Sequence, residues 1–295
     1  MGTVREFVSD DDLDYVISML YYQPYMIPIY NAVRIYRSSS LVFQFPTNFR
    51  IFCYPSVEPK LWFVHSKDPF RIELLNVWSL PWKNINEEEF LDAFNQLTKL
   101  IHLSKEVLVV SPDFLSDKIS IYVKSKSSYI ESSYPTYVYY MDKKQREIVL
   151  NEELHLPGGY YYKDNKAEED APIISDTWQY GTKGNYQSTA EKLRILPNVI
   201  IRYQEKPVAY EMFTTTGFFH HHFVHEEHRR RGLGKLVELR LGQKAIRAGL
   251  WPCKTVEPKN ELVVAWSNRS PYWNRYNDKH GNAIIVNFIL LHWYE

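Results

Sequence analysis

An aromatic, β-branched run ending at Val224 leads into His225-Glu226-Glu227-His228-Arg229-Arg230-Arg231-Gly232-Leu233-Gly234, and a helical pattern follows to Ala248. Strand, glycine-bearing loop and helix in that order make a seat for an anion. Glycines let the backbone approach a ligand closely, first-turn N–H groups have no partner inside their helix, and the helix dipole favours negative charge. Arginines add charge-assisted hydrogen bonds to a phosphate. Between His225 and Gly249, seven basic side chains (Arg229, Arg230, Arg231, Lys235, Arg240, Lys244, Arg247) face three acids (Glu226, Glu227, Glu238), a local excess of +4. The alternative reading is a solvated basic helix start. The spacing is neither the G-x-x-x-x-G-K-[ST] of a P-loop nor the G-x-G-x-x-G of a dinucleotide site.

His220, His221, His222, His225 and His228 crowd the approach to this loop. If the run is a strand, His220 and His222 share the face of Phe218 and His221 points away. An imidazole titrating near about pH 6.5 accepts a proton readily, so His220 and His222 are the candidate general bases. A hydrogen-bonded structural histidine is the alternative for each. No metal is expected, since neither Cys nor acid stands at a characteristic ligand spacing. Ser267 lies in no G-x-S-x-G elbow, and Cys253 reads as a buried thiol in a central strand.

These residues need elements to hold them. Helical spacing runs from an N-cap at Asp10 to Leu20, through Val33 and Ile35 after Pro28, and over Glu87 to Leu103 behind Asn86. Short β-branched and aromatic runs at Leu41 to Phe45, Phe49 to Tyr54, Leu61 to His65, Arg71 to Trp78 and Val107 to Val110 predict strands. Beyond a polar stretch from Asp142 to Glu153, short helices are expected at Glu168 to Trp178 and Thr189 to Leu196, and strands at Val199 to Tyr203, Val208 to Phe213 and Phe218 to Val224. A helix from Gly232 to Ala248 and a strand from Pro252 to Glu257 follow. The expected class is α/β (α+β), in two domains, 1–149 and 150–295.

Composition narrows the partners. The chain has 295 residues, with 35 Lys and Arg against 35 Asp and Glu, which excludes a broadly basic nucleic-acid surface. Its longest apolar run, Ala283 to Trp293, is shorter than the roughly 18 residues of a membrane span, so no membrane partner is expected. Two cysteines and an acidic N-terminus, with Asp10, Asp11, Asp12 and Asp14, point to a cytoplasmic protein.

Arg229, Gly232 and Gly234 between strand and helix resemble the R/Q-x-x-G-x-G/A signature of the GNAT acyltransferase superfamily. Trp178, Pro207-Val208, Gly217, Glu227, Pro252 and the run Asn260-Glu261 to Ser267 extend the resemblance to the glycine N-acyltransferase-like family over roughly residues 150 to 270. The first half is similar in length and element order. The resemblance implies a GNAT-like mixed sheet flanked by helices, in two tandem GNAT-like domains of which the first is divergent. It implies transfer of an acyl group from acyl-CoA, as co-substrate, to the amino group of glycine or another small amine, by direct attack in a ternary complex. A non-catalytic acyl-CoA-binding protein is the alternative. Val224, Arg229, Arg230, Arg231, Gly232, Leu233, Gly234, Lys235 and Asn260 are then the coenzyme-binding residues, although Asn260 equally suits a helix cap. Relatives carry an acid where Phe218 stands, which is why the base falls to a histidine. Tyr272 and Tyr276 are candidates to protonate a leaving thiolate or to pack, and family resemblance adds the mitochondrion as a location.

Overall fold

The computed structural model describes residues 2–42, 48–67, 70–179 and 186–294. They form two compact units: Met1–Tyr139 with Val256–Asn268 and Arg275–Glu295, and Tyr140–Thr255 with Arg269–Asn274. The division expected at 149/150 therefore shifts, and the chain's end returns to the first unit. Two physical reasons account for this. Asp142 does not open a linker; it caps a helix in a capping box with Gln145. The apolar run near the C-terminus is a strand that pairs within the first unit.

The first unit begins with β1 (Arg5–Phe7), α1 (Asp10–Leu20) and α2 (Ile27–Val42). Ser9, rather than Asp10, caps α1, because its hydroxyl accepts the Asp12 N–H while the Asp12 carboxylate reaches back. Leu41 and Val42 end α2 instead of starting a strand, and 43–47 lie outside the described residues. Then come β2 (Asn48–Tyr54), β3 (Leu61–Lys67), β4 (Glu73–Trp78), α3 (Glu87–Leu100), β5 (Glu106–Pro112), α4 (Ser116–Ser125) and β6 (Tyr129–Tyr140). Pairing is antiparallel from β1 to β4 and parallel between β4 and β5. Phe52, Phe63, Leu75 and Val109 on the sheet bury against Phe90, Phe94 and Leu97 of α3 and Ile119 and Tyr122 of α4.

The second unit holds α5 (Lys143–Asn151), β7 (Tyr160–Tyr162), α6 (Ala167–Asp176), α7 (Gln187–Ile195), β8 (Asn198–Tyr203), β9 (Lys206–Phe213), β10 (Phe219–Val224), α8 (Leu233–Arg247) and β11 (Cys253–Val256). Beyond it lie α9 (Glu261–Arg269), β12 (Asn274–Arg275) and β13 (Ile285–His292). β13 pairs antiparallel with β5 and with β6 through its whole length.

Strand order and direction repeat. β7, β8, β9 and β10 are successively antiparallel and β10 is parallel to β11, as β1 to β5 are in the first unit. Both units place two helices after the first strand and one helix between the parallel strands. α6 and α7 cover one face of the second unit's strands, where Ala171, Ile174, Ala190 and Leu193 pack on Ile200, Tyr210 and Met212.

That packing is tied down by one buried ion pair. Arg202 on β8 meets Asp170 on α6 at 2.6 Å, with side-chain exposures of 3% and 2%, and the Lys166 N–H donates to the same carboxylate at 2.8 Å. Asp170→Ala leaves the guanidinium buried without its counter-charge, and urea denaturation is expected to show a loss of about 3–5 kcal/mol.

Candidate functional site

The geometry of the second unit turns on an extra residue in β10. His220 pairs with Met212 and Phe223 with Tyr210, so His221 and His222 stand opposite Glu211 alone. His221 occupies the bulge in the left-handed region, at φ 58°. A bulge re-aims the side chains around it. Here it reverses the face of everything after His221, and the expectation that His220 and His222 share a face fails for that reason. His220 and His221 both meet the Trp178 ring, at 4.1 and 5.0 Å between centroids. Phe223 stacks on Tyr210 on that same side, whereas His222 turns toward α8.

His221 is structural. Its Nε2 and the Thr177 hydroxyl are 2.9 Å apart, and Thr177 is in turn bonded to the Tyr210 hydroxyl. Burial, helped by Lys192, pushes its pKa down to about 3, so it stays neutral. Phe218 precedes β10, buried in the turn after Gly217. Phe219 packs edge-on against Phe213 and Trp273, so Phe219 and Phe223 lie on opposite faces.

His222 has the environment of a base. Its Nδ1 stands 3.4 Å from Oε2 of Glu211, whose side chain is 2% exposed while that of His222 is 41% exposed. Oε2 of Glu211 has no hydrogen-bond partner. Burial raises the Glu211 pKa, and His222 opposes that rise. For His222, burial works downward, but the Glu211 carboxylate outweighs it and the net shift is upward. Nε2 looks the other way, toward Gly234 in the first turn of α8: a Cβ on that residue would lie 3.0 Å from Nε2. Glycine there keeps the reactive nitrogen clear.

A second carboxylate, Glu238, approaches from α8. Its oxygens are held by the Lys254 ammonium at 2.6 Å and by the Trp273 indole N–H at 3.0 Å. Ligand atoms of Glu211, His222 and Glu238 lie within 4.8 Å of one another. A metal entering there would meet an ammonium already bonded to one of its ligands. Sequence reasoning did not single out Glu211, Glu238 or Lys254 as a cluster. The available signals were an acid amid Val208-Ala209-Tyr210-Glu211-Met212-Phe213 and a lysine within Cys253–Val256. Either predicts a buried charge that needs a partner.

Gly232, at φ 77°, opens α8, and no side chain caps it. A Cβ at Gly232 would meet nothing within 4 Å, so the N-terminus faces open space. Arg229, Arg230, Arg231 and Lys235 are exposed around it, and Leu233 is buried behind it. Arg229 Nε donates to the Val224 carbonyl at 3.0 Å, closing the turn from strand to helix. The basic excess is narrower than the sequence count. Lys244 donates to the Asn198 carbonyl at 2.9 Å and Arg240 to the Gln243 side chain at 3.1 Å. β10 meets β11 at one register position, Phe219 with Lys254, so Val224 lies beyond the recorded parallel pairing.

The corresponding helix of the first unit has the opposite character. α3 starts with Asn86 in a capping box and Glu87, Glu88 and Glu89 in its first turn. The Asn86 side chain takes its Glu89 N–H, and its local charge repels anions.

Asn260 belongs to the first unit, where its Oδ1 accepts the Val263 N–H at 3.4 Å at the start of α9, the capping role. Tyr276 is also in that unit and donates to the Pro24 carbonyl. Tyr272, in the second unit, donates to Glu152 at 2.5 Å, and burial followed by Glu152 pushes its pKa up to about 12. Cys53 and Cys253 are both fully buried.

No protein-family model matches the sequence, and no curated protein matches it. The fold is similar to the X-ray structure of a Drosophila protein, at 15% identity over 99% of this chain and 99% of that one, with a TM-score of 0.76. It is also similar to a tandem GNAT protein from the clavulanic acid biosynthesis pathway, at 11% identity over 98% of each chain and a TM-score of 0.51. At these identities the likeness is one of fold. The mixed sheet flanked by helices, repeated in two units, is a tandem GNAT-like architecture.

Proposed function

We propose that the protein is an acyl-CoA-dependent N-acyltransferase whose second unit binds the coenzyme and whose acceptor is glycine or another small amine. The observation that carries the reading is the meeting of two features at Gly234. One side is an uncapped helix N-terminus ringed by arginines; the other is an imidazole backed by a buried carboxylate. The first suits the diphosphate of a coenzyme. The second suits removal of a proton from an ammonium group.

Glu211 fixes Nδ1 of His222 and stabilises the imidazolium, leaving Nε2 to accept the proton. The neutral amine then attacks the thioester carbonyl directly, with loss of the coenzyme thiolate. Cys253 is buried in β11 and takes no part as a nucleophile. His220, packed against Trp178, is assigned a structural role.

Calorimetry with acetyl-CoA and benzoyl-CoA is expected to show saturable binding at about one site per chain, because α8 joins an N-terminus that no side chain caps to exposed arginines, whereas α3 is capped and acidic. Thiol release with a panel of amino acids then identifies the acceptor. No saturable binding sinks the proposal at its first step. Binding without thiol release supports instead a non-catalytic acyl-CoA-binding protein, the reading favoured by Phe218 where relatives carry an acid.

A further inference from the structure

We propose that Lys254 is a positioning residue for the His222 base: by holding Glu238, it leaves the imidazole with Glu211 as its one carboxylate partner. This rests on the proposed function and deepens it.

Three elements bring charge to His222. Glu211 approaches from β9, Glu238 from α8 and Lys254 from β11. A carboxylate oxygen of Glu211 and one of Glu238 both lie within 4.8 Å of an imidazole nitrogen. Both acids are 2% exposed, so neither is screened by water as a surface group is. Two unopposed carboxylates at that range compete for one imidazole. Either the ring turns toward Glu238, or the pair holds its proton too tightly to act as a base near neutral pH.

Lys254 prevents both outcomes. Its ammonium lies 2.6 Å from Oε1 of Glu238 and 4.5 Å from the centre of the Trp273 ring, and the Trp273 N–H takes Oε2 at 3.0 Å. Both oxygens of Glu238 are thus engaged by other groups, near the base as they are. Oε2 of Glu211, by contrast, accepts no hydrogen bond and faces Nδ1 of His222 at 3.4 Å, an ion-pair distance. Lys254 also stands at the one register position joining β10 to β11, which fixes its place relative to the bulge.

The experiment reads the His222 imidazole directly, by NMR titration of its ring resonances, beside the pH profile of kcat. In Lys254→Met the His222 titration is expected to move up by about one pH unit, a tenfold gain in proton affinity. The acid limb of kcat moves with it, while KM for acyl-CoA stays within about twofold. The double variant Lys254→Met/Glu238→Gln is expected to return the titration to within about 0.3 units of the parent. Glu238→Gln alone, with Lys254 present, serves if Lys254→Met does not fold, and it is expected to move the titration downward. An unmoved titration in the folded single variants overturns the proposal, as does a double variant that stays shifted. A merely structural lysine would lower stability and leave the titration in place. Should no acyl-CoA be turned over, the functional reading fails, while the NMR titration still decides the role of Lys254.

Discussion

His222→Ala lowers kcat/KM for acyl transfer by about 10²- to 10⁴-fold at neutral pH, the range a positioned general base supplies. The loss is expected in kcat, because the proposed mechanism has the imidazole take a proton from the amine and leaves the coenzyme diphosphate to α8. Glu211→Gln gives a smaller loss with a diagnostic pH signature. The carboxylate raises the His222 pKa against the downward pull of burial. A base works only when deprotonated, so the parent's rate falls as pH drops through that raised value, above the ordinary value of about 6.5. Removing that charge takes away the largest upward influence on the imidazole, and the acid limb moves to lower pH. Initial-rate profiles between about pH 5 and 9 check both statements. A His222→Ala enzyme retaining more than about a third of its rate removes the base from the mechanism, since even the low end of the expected effect is far larger.

Local features of this arrangement were legible in the sequence, and non-local ones were not. The start of α8 could be read because glycines, arginines and a helical period sit in one continuous segment. Asn86 with Glu89 likewise announces α3. The faces of the histidines could not be read, since alternation holds only while strand register holds. The bulge at His221 is defined by what stands opposite it on β9. The Glu211–His222–Glu238–Lys254 cluster draws on β9, β10, α8 and β11, and no spacing along the chain encodes that meeting. The strand role of Ile285–His292 also depends on distant partners, β5 and β6. The duplication is carried by strand order and direction rather than by matching residues, so it emerges only when the strands of the two units are compared.

That duplication makes charge at α8 the sharpest test of coenzyme binding. α3 and α8 occupy equivalent places in their units, yet one opens with a capping box and three glutamates and the other with Gly232 and no cap. Arg230→Glu/Arg231→Glu gives α8 the acidic character of α3. Charge-assisted hydrogen bonds are worth about 1.5–3 kcal/mol each, so losing two raises the Kd for acyl-CoA by roughly 10²-fold or more, before the added repulsion. Both side chains are exposed and neither supports the core, so the thermal midpoint is expected to move little. The rate at saturating acyl-CoA is also expected to hold within a few fold, because the His222–Glu211 pair is untouched. Exposed charges are screened over about 10 Å at 0.1 M salt, so the difference between parent and variant narrows as salt rises. A matched reversal on the first unit, Lys99→Glu/Lys124→Glu, changes net charge equally at two exposed lysines. If that control weakens acyl-CoA binding as much, the effect belongs to overall charge and α8 is not the phosphate seat. If only the α8 variant weakens it, the affinity resides in the helix terminus that Gly232 leaves open.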